Sequence, residues 1–310
     1  MRALVIGAGG VGGYYAGALA QGGHDVAVVA RGAHADAIRT HGLRVRYPDG
    51  SERTSRVEVY EDPRTYGVAD LVLVTVKSYD TETAARLLAP CAGPDTIVLS
   101  LQNGPENEDV IARVAGLAPL MQTVTYIGSE IESPGVIKYS GAAQLVYGEV
   151  DGTRSARAER LSGWLTQAGI EHRVSSSILR VVWDKLAWNA AFNPVTALTR
   201  RTVSAALDGG PGEALIRDLM QETFAVARGL GIDVPVRIDA TLEHSRRVLP
   251  DFRTSMLQDL ERGKRLEWDA LNGAVVRAGE RAGVPTPLNR TLARLLAMVD
   301  PGAAARSRPS

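Results

Sequence analysis

The stretch Arg2-Ala3-Leu4-Val5-Ile6-Gly7-Ala8-Gly9-Gly10-Val11-Gly12 decides the fold of this 310-residue chain. Arg2–Ile6 is a short, almost wholly apolar run, as expected of a strand buried on both faces. Residues 7–12 fit G-x-G-x-x-G, and residues 11–21 are small and apolar enough for a buried helix that ends at Gly22-Gly23. Alone the pattern is a weak signal; between a strand and a helix it reads as a dinucleotide-binding turn. The first glycine permits the tight turn, the second lets the backbone approach a pyrophosphate, and the third lets helix and strand pack closely. The pyrophosphate would lie on the partly positive helix N-terminus. Thus Gly7, Ala8, Gly9, Gly10, Val11 and Gly12 are candidate cofactor-binding residues. A glycine-rich turn of some other α/β fold is the competing reading.

The next strand, residues 25–30, ends in Arg31-Gly32. An NAD site usually carries Asp or Glu at that tip for the ribose 2′-hydroxyl, and a carboxylate there would repel a 2′-phosphate. A guanidinium can instead grip the phosphate through two parallel hydrogen bonds, so Arg31 favours NADPH; a solvated surface arginine is the bland alternative. Lys77 follows the apolar run 71–76, and Asn103 follows the run 96–99 within Leu101-Gln102-Asn103-Gly104-Pro105. Ligands of open α/β sheets bind beyond such strand ends, so Lys77 and Asn103 are expected at the nicotinamide end.

Further along, runs at 71–76 and 96–99 with a helix over Thr81–Leu88 between them continue a βαβ rhythm. That rhythm argues for a parallel sheet with helices on both faces. Residues 43–60, with alternating Val and Arg around Pro48-Asp49-Gly50, suggest a hairpin insert. Residues 121–150, broken at Pro134-Gly135 and Ser140-Gly141, suggest an antiparallel extension. After about Ser175 the strand signals nearly stop. Helices are expected over 178–191, 213–230, 237–248, 255–260, 265–282 and 289–299, separated by Gly209-Gly210-Pro211-Gly212, Gly231, Pro250 and Gly263. The expected fold is therefore α/β: a Rossmann-type parallel sheet domain over 1–175, then an all-helical domain over 176–300. The tail 301–310, rich in Pro, Gly, Ala, Ser and Arg, reads as disordered.

Composition narrows the partners. Lys plus Arg and Asp plus Glu both number 35, so the formal net charge is zero and gives no global attraction to nucleic acid or an anionic membrane. Cys91 is the single cysteine, which excludes an internal disulfide and a cysteine metal cluster. It reads as a small core or loop residue, and the chain suits a reducing cytoplasm. No secretory leader and no apolar run of membrane-spanning length is apparent. The partner expected is a small molecule; a homodimer stays open.

The helical half carries polar residues where apolar ones are expected. With residues 178–192 wound as a helix, Lys185 falls inside the stripe formed by Ile178, Val182 and Leu186; Asn189 and Asn193 follow one and two turns on. On residues 265–282, Glu267 shares a face with Leu271, Ala274, Val275 and Ala278 by the same arithmetic. An ammonium, a carboxylate and two amides facing a core need partners. Either they satisfy one another in a structural network or they form a substrate site. Ser255, opening Ser255-Met256-Leu257-Gln258-Asp259, is an N-cap or a ligand contact.

These residues together resemble the ketopantoate reductase family (2-dehydropantoate 2-reductases) over nearly the whole chain. The resemblance rests on residues 7–12 with Arg31, on Gln102-Asn103-Gly104, and on Trp183-x-Lys185-Leu186-x-x-Asn189-x-x-x-Asn193-Pro194-x-Thr196-Ala197. Ser255-Met256-Leu257-Gln258-Asp259 and Glu267-x-x-x-x-Asn272-Gly273 complete it. It implies that Lys185 is the catalytic lysine with Glu267 as its carboxylate partner. It also implies that Asn103, Asn189, Asn193 and Ser255 contact the substrate or the nicotinamide. Two positions depart: the family commonly has Asn where this chain has Phe252, and many members have Asn-Gly within the stretch that here reads Arg200-Arg201-Thr202-Val203. The activity implied is NADPH-dependent reduction of 2-dehydropantoate to pantoate, a step toward pantothenate and coenzyme A. A reductase of another 2-oxo acid or an imine, and a non-catalytic NADPH-sensing protein, are the alternatives.

Overall fold

A computed structural model describes residues 1–302. They form two compact units, one made of Met1–Gln102 and Glu106–Ile178, the other of Asn103–Pro105 and the chain from Leu179. In the first unit β1 (Arg2–Ile6), α1 (Gly10–Gln21), β2 (Asp25–Val29), α2 (Gly32–His41), β3 (Leu43–Arg46), β4 (Glu52–Ser55) and β5 (Glu58–Tyr60) follow in order. Then come β6 (Ala69–Val74), α3 (Thr81–Leu88), β7 (Ala92–Ser100), α4 (Asn107–Ala115), β8 (Gln122–Ser133), β9 (Val136–Gly148), α5 (Ala156–Gln167) and β10 (Glu171–Val174).

The main sheet has the order β5-β2-β1-β6-β7, parallel throughout. Its strand order reverses beside β1, and the glycine-rich turn leaves the carboxyl end of that strand, the place where such sheets bind ligands. The pleat of β1 separates two cores. Ala3 and Val5 pack with Tyr15 and Leu19 of α1, while Leu4 and Ile6 pack with Ala84 and Leu88 of α3 and Ile111 of α4. All of these side chains are buried, which is why the strand reads as an unbroken apolar run.

The expected hairpin insert is instead divided between two sheets. β3 and β4 pair antiparallel around the Pro48-Asp49-Gly50 turn, but β5 joins the main sheet beside β2. The expected antiparallel extension is a mixed sheet. β8 and β9 form one long hairpin turning at Pro134-Gly135, and Ser140-Gly141 marks a shift of register rather than a break. β9 also pairs in parallel with β3 through Val136–Lys138 and with β10 through Gln144–Tyr147. Leu43, Val45, Ile137 and Leu145 of this second sheet share the core of Ala3 and Val5, so it covers part of one face of the main sheet. Helices α2, α4 and α5 were not foreseen from the sequence.

The second unit contains α6 (Ile178–Thr199, its first residue in the first unit), α7 (Val203–Ala206), α8 (Pro211–Gly229), α9 (Ile238–Val248), α10 (Ser255–Glu261), α11 (Ala274–Ala282) and α12 (Pro287–Val299). α6 does not stop near Ala191 as expected; it runs on through Pro194. The expected helix 265–282 starts later, at Trp268, and opens with a π turn over Asp269–Gly273 before α11. Asp300 holds the preceding segment out of the helix, accepting from Leu266 N at 3.0 Å and Trp268 Nε1 at 3.3 Å. Pro301 and Gly302, expected in a disordered tail, are ordered and partly buried, with Gly302 N donating to Asp300 Oδ1. The rest of that expected tail, 303–310, lies outside the described residues. No helix among the described residues is long and apolar enough to cross a membrane.

Candidate active site

The first unit builds the glycine-rich turn. Gly7 has φ +104, a conformation open to glycine, and a Cβ on Gly12 would lie 2.0 Å from Gly7 O and 2.3 Å from Thr75 Oγ1. Thr75, one residue past β6, donates its hydroxyl to Gly7 O at 2.5 Å. A Cβ on Gly9 would meet nothing within 4 Å, which leaves open space over the turn. The first N–H groups of α1 have no acceptor within the helix and are available to an anion. Arg31 is exposed at the N-cap of α2 and has no ion-pair partner among the described residues. Lys77 stands three residues beyond the end of β6, at the start of a short 3-10 turn, with its carbonyl accepting from Asp80 N at 2.8 Å.

Gln102 anchors the loop after β7. Its amide donates to Val76 O at 3.0 Å and Thr81 Oγ1 at 2.8 Å, and its oxygen accepts from Ser100 Oγ at 3.1 Å. Asn103, the next residue, groups with the helical unit. Its Oδ1 accepts from Lys185 Nζ at 3.1 Å and Asn189 Nδ2 at 3.5 Å. The structure thus joins Asn103, Lys185 and Asn189. Burial of the Lys185 ammonium is the larger influence and pulls its pKa down to about 8, while the Glu267 carboxylate opposes it. Glu267 is 9% exposed, as expected, but lies just before the helix rather than within it.

Asn193, two turns along α6 from Lys185, is 2% exposed, and its amide has no hydrogen-bond partner among the described residues. An amide that makes no bond within the fold is available to a ligand. Ser255 is exposed at the first position of α10 and is not its N-cap; Thr254 is, accepting from Leu257 N. Thr254 Oγ1 also lies 2.8 Å from Thr196 Oγ1, which fixes the start of α10 against the turn of α6 that follows Asn193.

Sequence reasoning gave Asn272 no role of its own. Pro194 has no N–H, so the carbonyl of Ala190 loses its helical partner. Asn272 Nδ2 supplies one at 2.8 Å and also donates to Asn289 Oδ1 at 2.9 Å. Glu222 completes the chain, accepting from Leu288 N, Asn289 N and Asn289 Nδ2. A proline inside a helix pattern was the available signal, since it announces an orphan carbonyl. Asn272→Ala is expected to destabilise the fold by about 2 kcal/mol, because it strands two buried acceptors while removing its own unpaired Oδ1. A shift of the urea midpoint measures this; an unchanged midpoint would mean that water takes over both bonds.

A Rossmann-type turn, a desolvated lysine beside a carboxylate and buried amides on the same helix suit a reductase of carbonyl compounds, and the relatives of the chain are of that kind. Residues 3–152 match the family described as ketopantoate reductase PanE/ApbA, and residues 177–300 match its C-terminal domain. The chain is 35% identical to a 2-dehydropantoate 2-reductase of Halobacterium salinarum over 96% of its length and 98% of the relative's. It is 34% identical to the enzyme of that name from Archaeoglobus fulgidus over 97% of its length and 98% of the relative's. Among solved structures, a PanE/ApbA family ketopantoate reductase from Ralstonia eutropha superposes with a TM-score of 0.90 at 35% identity, over 98% of this chain and 100% of the other. With both halves matched and the relatives covered almost end to end, the chain belongs to the ketopantoate reductase PanE/ApbA family.

Proposed function

We propose that this chain reduces 2-dehydropantoate to pantoate with NADPH. The observation that carries the reading is Lys185, an ammonium desolvated toward a pKa of about 8, held by Asn103 Oδ1 and kept charged by Glu267. The glycine turn suits a dinucleotide: open space over Gly9, unpaired N–H groups at the start of α1, and Arg31 for a 2′-phosphate. The nicotinamide, when bound, supplies the hydride that adds to the ketone carbon. Lys185 stabilises the negative charge developing on the ketone oxygen and transfers the Nζ proton to it. Glu267 favours the ammonium before transfer. Asn189, Asn193 and Ser255 orient the carboxylate and hydroxyl of the substrate.

The test is loss of NADPH absorbance on addition of 2-dehydropantoate; no turnover above the blank rejects the reading. A second reading, reduction of a less polar 2-oxo acid, has its own observation. Phe252 is 39% exposed, and its carbonyl accepts from Val203 N at 2.9 Å, so two positions that depart from the family pattern adjoin. Comparing 2-dehydropantoate with 3,3-dimethyl-2-oxobutanoate, which lacks only its hydroxyl, separates the two: a higher kcat/KM for the latter favours the second. Asn193→Ala and Ser255→Ala are each expected to raise KM for the oxo acid about tenfold with NADPH affinity unchanged, the scale of one lost polar contact. Loss of NADPH binding in a folded variant would remove that residue from the substrate site.

A further inference from the structure

The carbonyls of the glycine-rich turn need hydrogen-bond partners. Thr75 serves Gly7 O. The partner of Ala8 O is His34, on the first turn of α2, whose Nε2 lies 2.8 Å away. The other ring nitrogen, Nδ1, accepts from Gly135 N at 3.1 Å, in the β8–β9 turn. Because Gly135 N–H can only donate, Nδ1 is bare and the ring proton sits on Nε2, donated to Ala8 O. Burial pulls the His34 pKa down, which keeps this neutral form. One imidazole therefore joins three segments: the phosphate turn, the start of α2 and the tip of the long hairpin.

Arg31 lies three residues before His34, at the N-cap of the same helix. The bonds of His34 tie the first turn of α2, and with it the backbone that carries Arg31, to the phosphate turn. We propose that His34 is a positioning residue of the dinucleotide site, setting both the affinity for NADPH and its preference over NADH. This inference rests on the reading of residues 7–12 and Arg31 as the cofactor site.

Glutamine can reproduce both bonds, with its oxygen accepting from Gly135 N and its amide donating to Ala8 O, whereas leucine makes neither. Binding of NADPH and NADH, followed by nucleotide fluorescence, and steady-state rates are measured for the parent, His34→Leu and His34→Gln. His34→Leu is expected to weaken NADPH roughly ten- to thirtyfold, the scale of the net contribution of two ordinary hydrogen bonds. NADH should weaken less, because it carries no phosphate for Arg31. KM for NADPH should rise while kcat at saturation changes less than twofold, and His34→Gln should recover most of the affinity. Unchanged NADPH affinity in His34→Leu overturns the proposal. So does equal weakening of both nucleotides without recovery in His34→Gln, the mark of a merely structural role. A parent that binds neither nucleotide removes the cofactor reading and this proposal together; parental binding with indifferent variants removes only His34.

Discussion

Lys185→Met is expected to lower turnover about a hundredfold or more, with little change in NADPH affinity, the scale of general acid catalysis combined with charge stabilisation. Methionine keeps the length and packing of the side chain but has no proton to give. The parent carries its own signature of the same chemistry. If Lys185 is the proton donor, reduction needs its acid form, and burial lowers its pKa to about 8. Turnover should therefore hold steady below that value and decline as pH rises through it. Glu267 raises the lysine pKa, so Glu267→Gln should move the decline to lower pH and cost less at neutral pH than Lys185→Met. Steady-state rates against pH, with circular dichroism to establish folding, check all three. A folded Lys185→Met enzyme turning over at the parental rate would exclude Lys185 as the proton donor.

Arg31→Ala is expected to weaken NADPH by about 1.5–3 kcal/mol, roughly ten- to hundredfold, and NADH hardly at all. Arg31 is exposed and has no carboxylate partner among the described residues, so the substitution breaks no ion pair of the fold. The loss should shrink as salt rises, because a charged contact at an exposed site is screened. Equal affinity of the parent for the two nucleotides would defeat this assignment. Titration of each variant with both nucleotides at low and high salt measures affinity and screening together.

What could be read from the sequence was what local sterics dictate. The glycine turn was legible because its spacing answers to one strand, one turn and one helix, all between Arg2 and Gln21. The polar side chains of α6 were legible because helical periodicity exposes a lysine and two amides inside an apolar stripe. Pairing between distant segments was not. Arg44 lies beside Val136 and Glu171 beside Gln144, and nothing in either stretch names its partner. Helices α2, α4 and α5 escaped because they are short, nine to twelve residues, and the strong apolar runs around them dominated the pattern. The start of the helix after Glu267 was misjudged because Asp300, more than thirty residues on, decides it by capturing Leu266 N and Trp268 Nε1. His34 gave no sign because its partners, Ala8 O and Gly135 N, are backbone groups brought to it only by the assembled fold.

Asn103–Pro105 belong to the helical unit although they lie between β7 and α4 in the chain. The helical half is consequently discontinuous in sequence and cannot be excised as a module. A fragment beginning at Leu179 would keep Lys185 and Asn189 but lose the amide oxygen that both of them donate to. Any scheme that swaps or separately expresses the two halves, or permutes the chain near residue 103, has to carry that short loop with the helices.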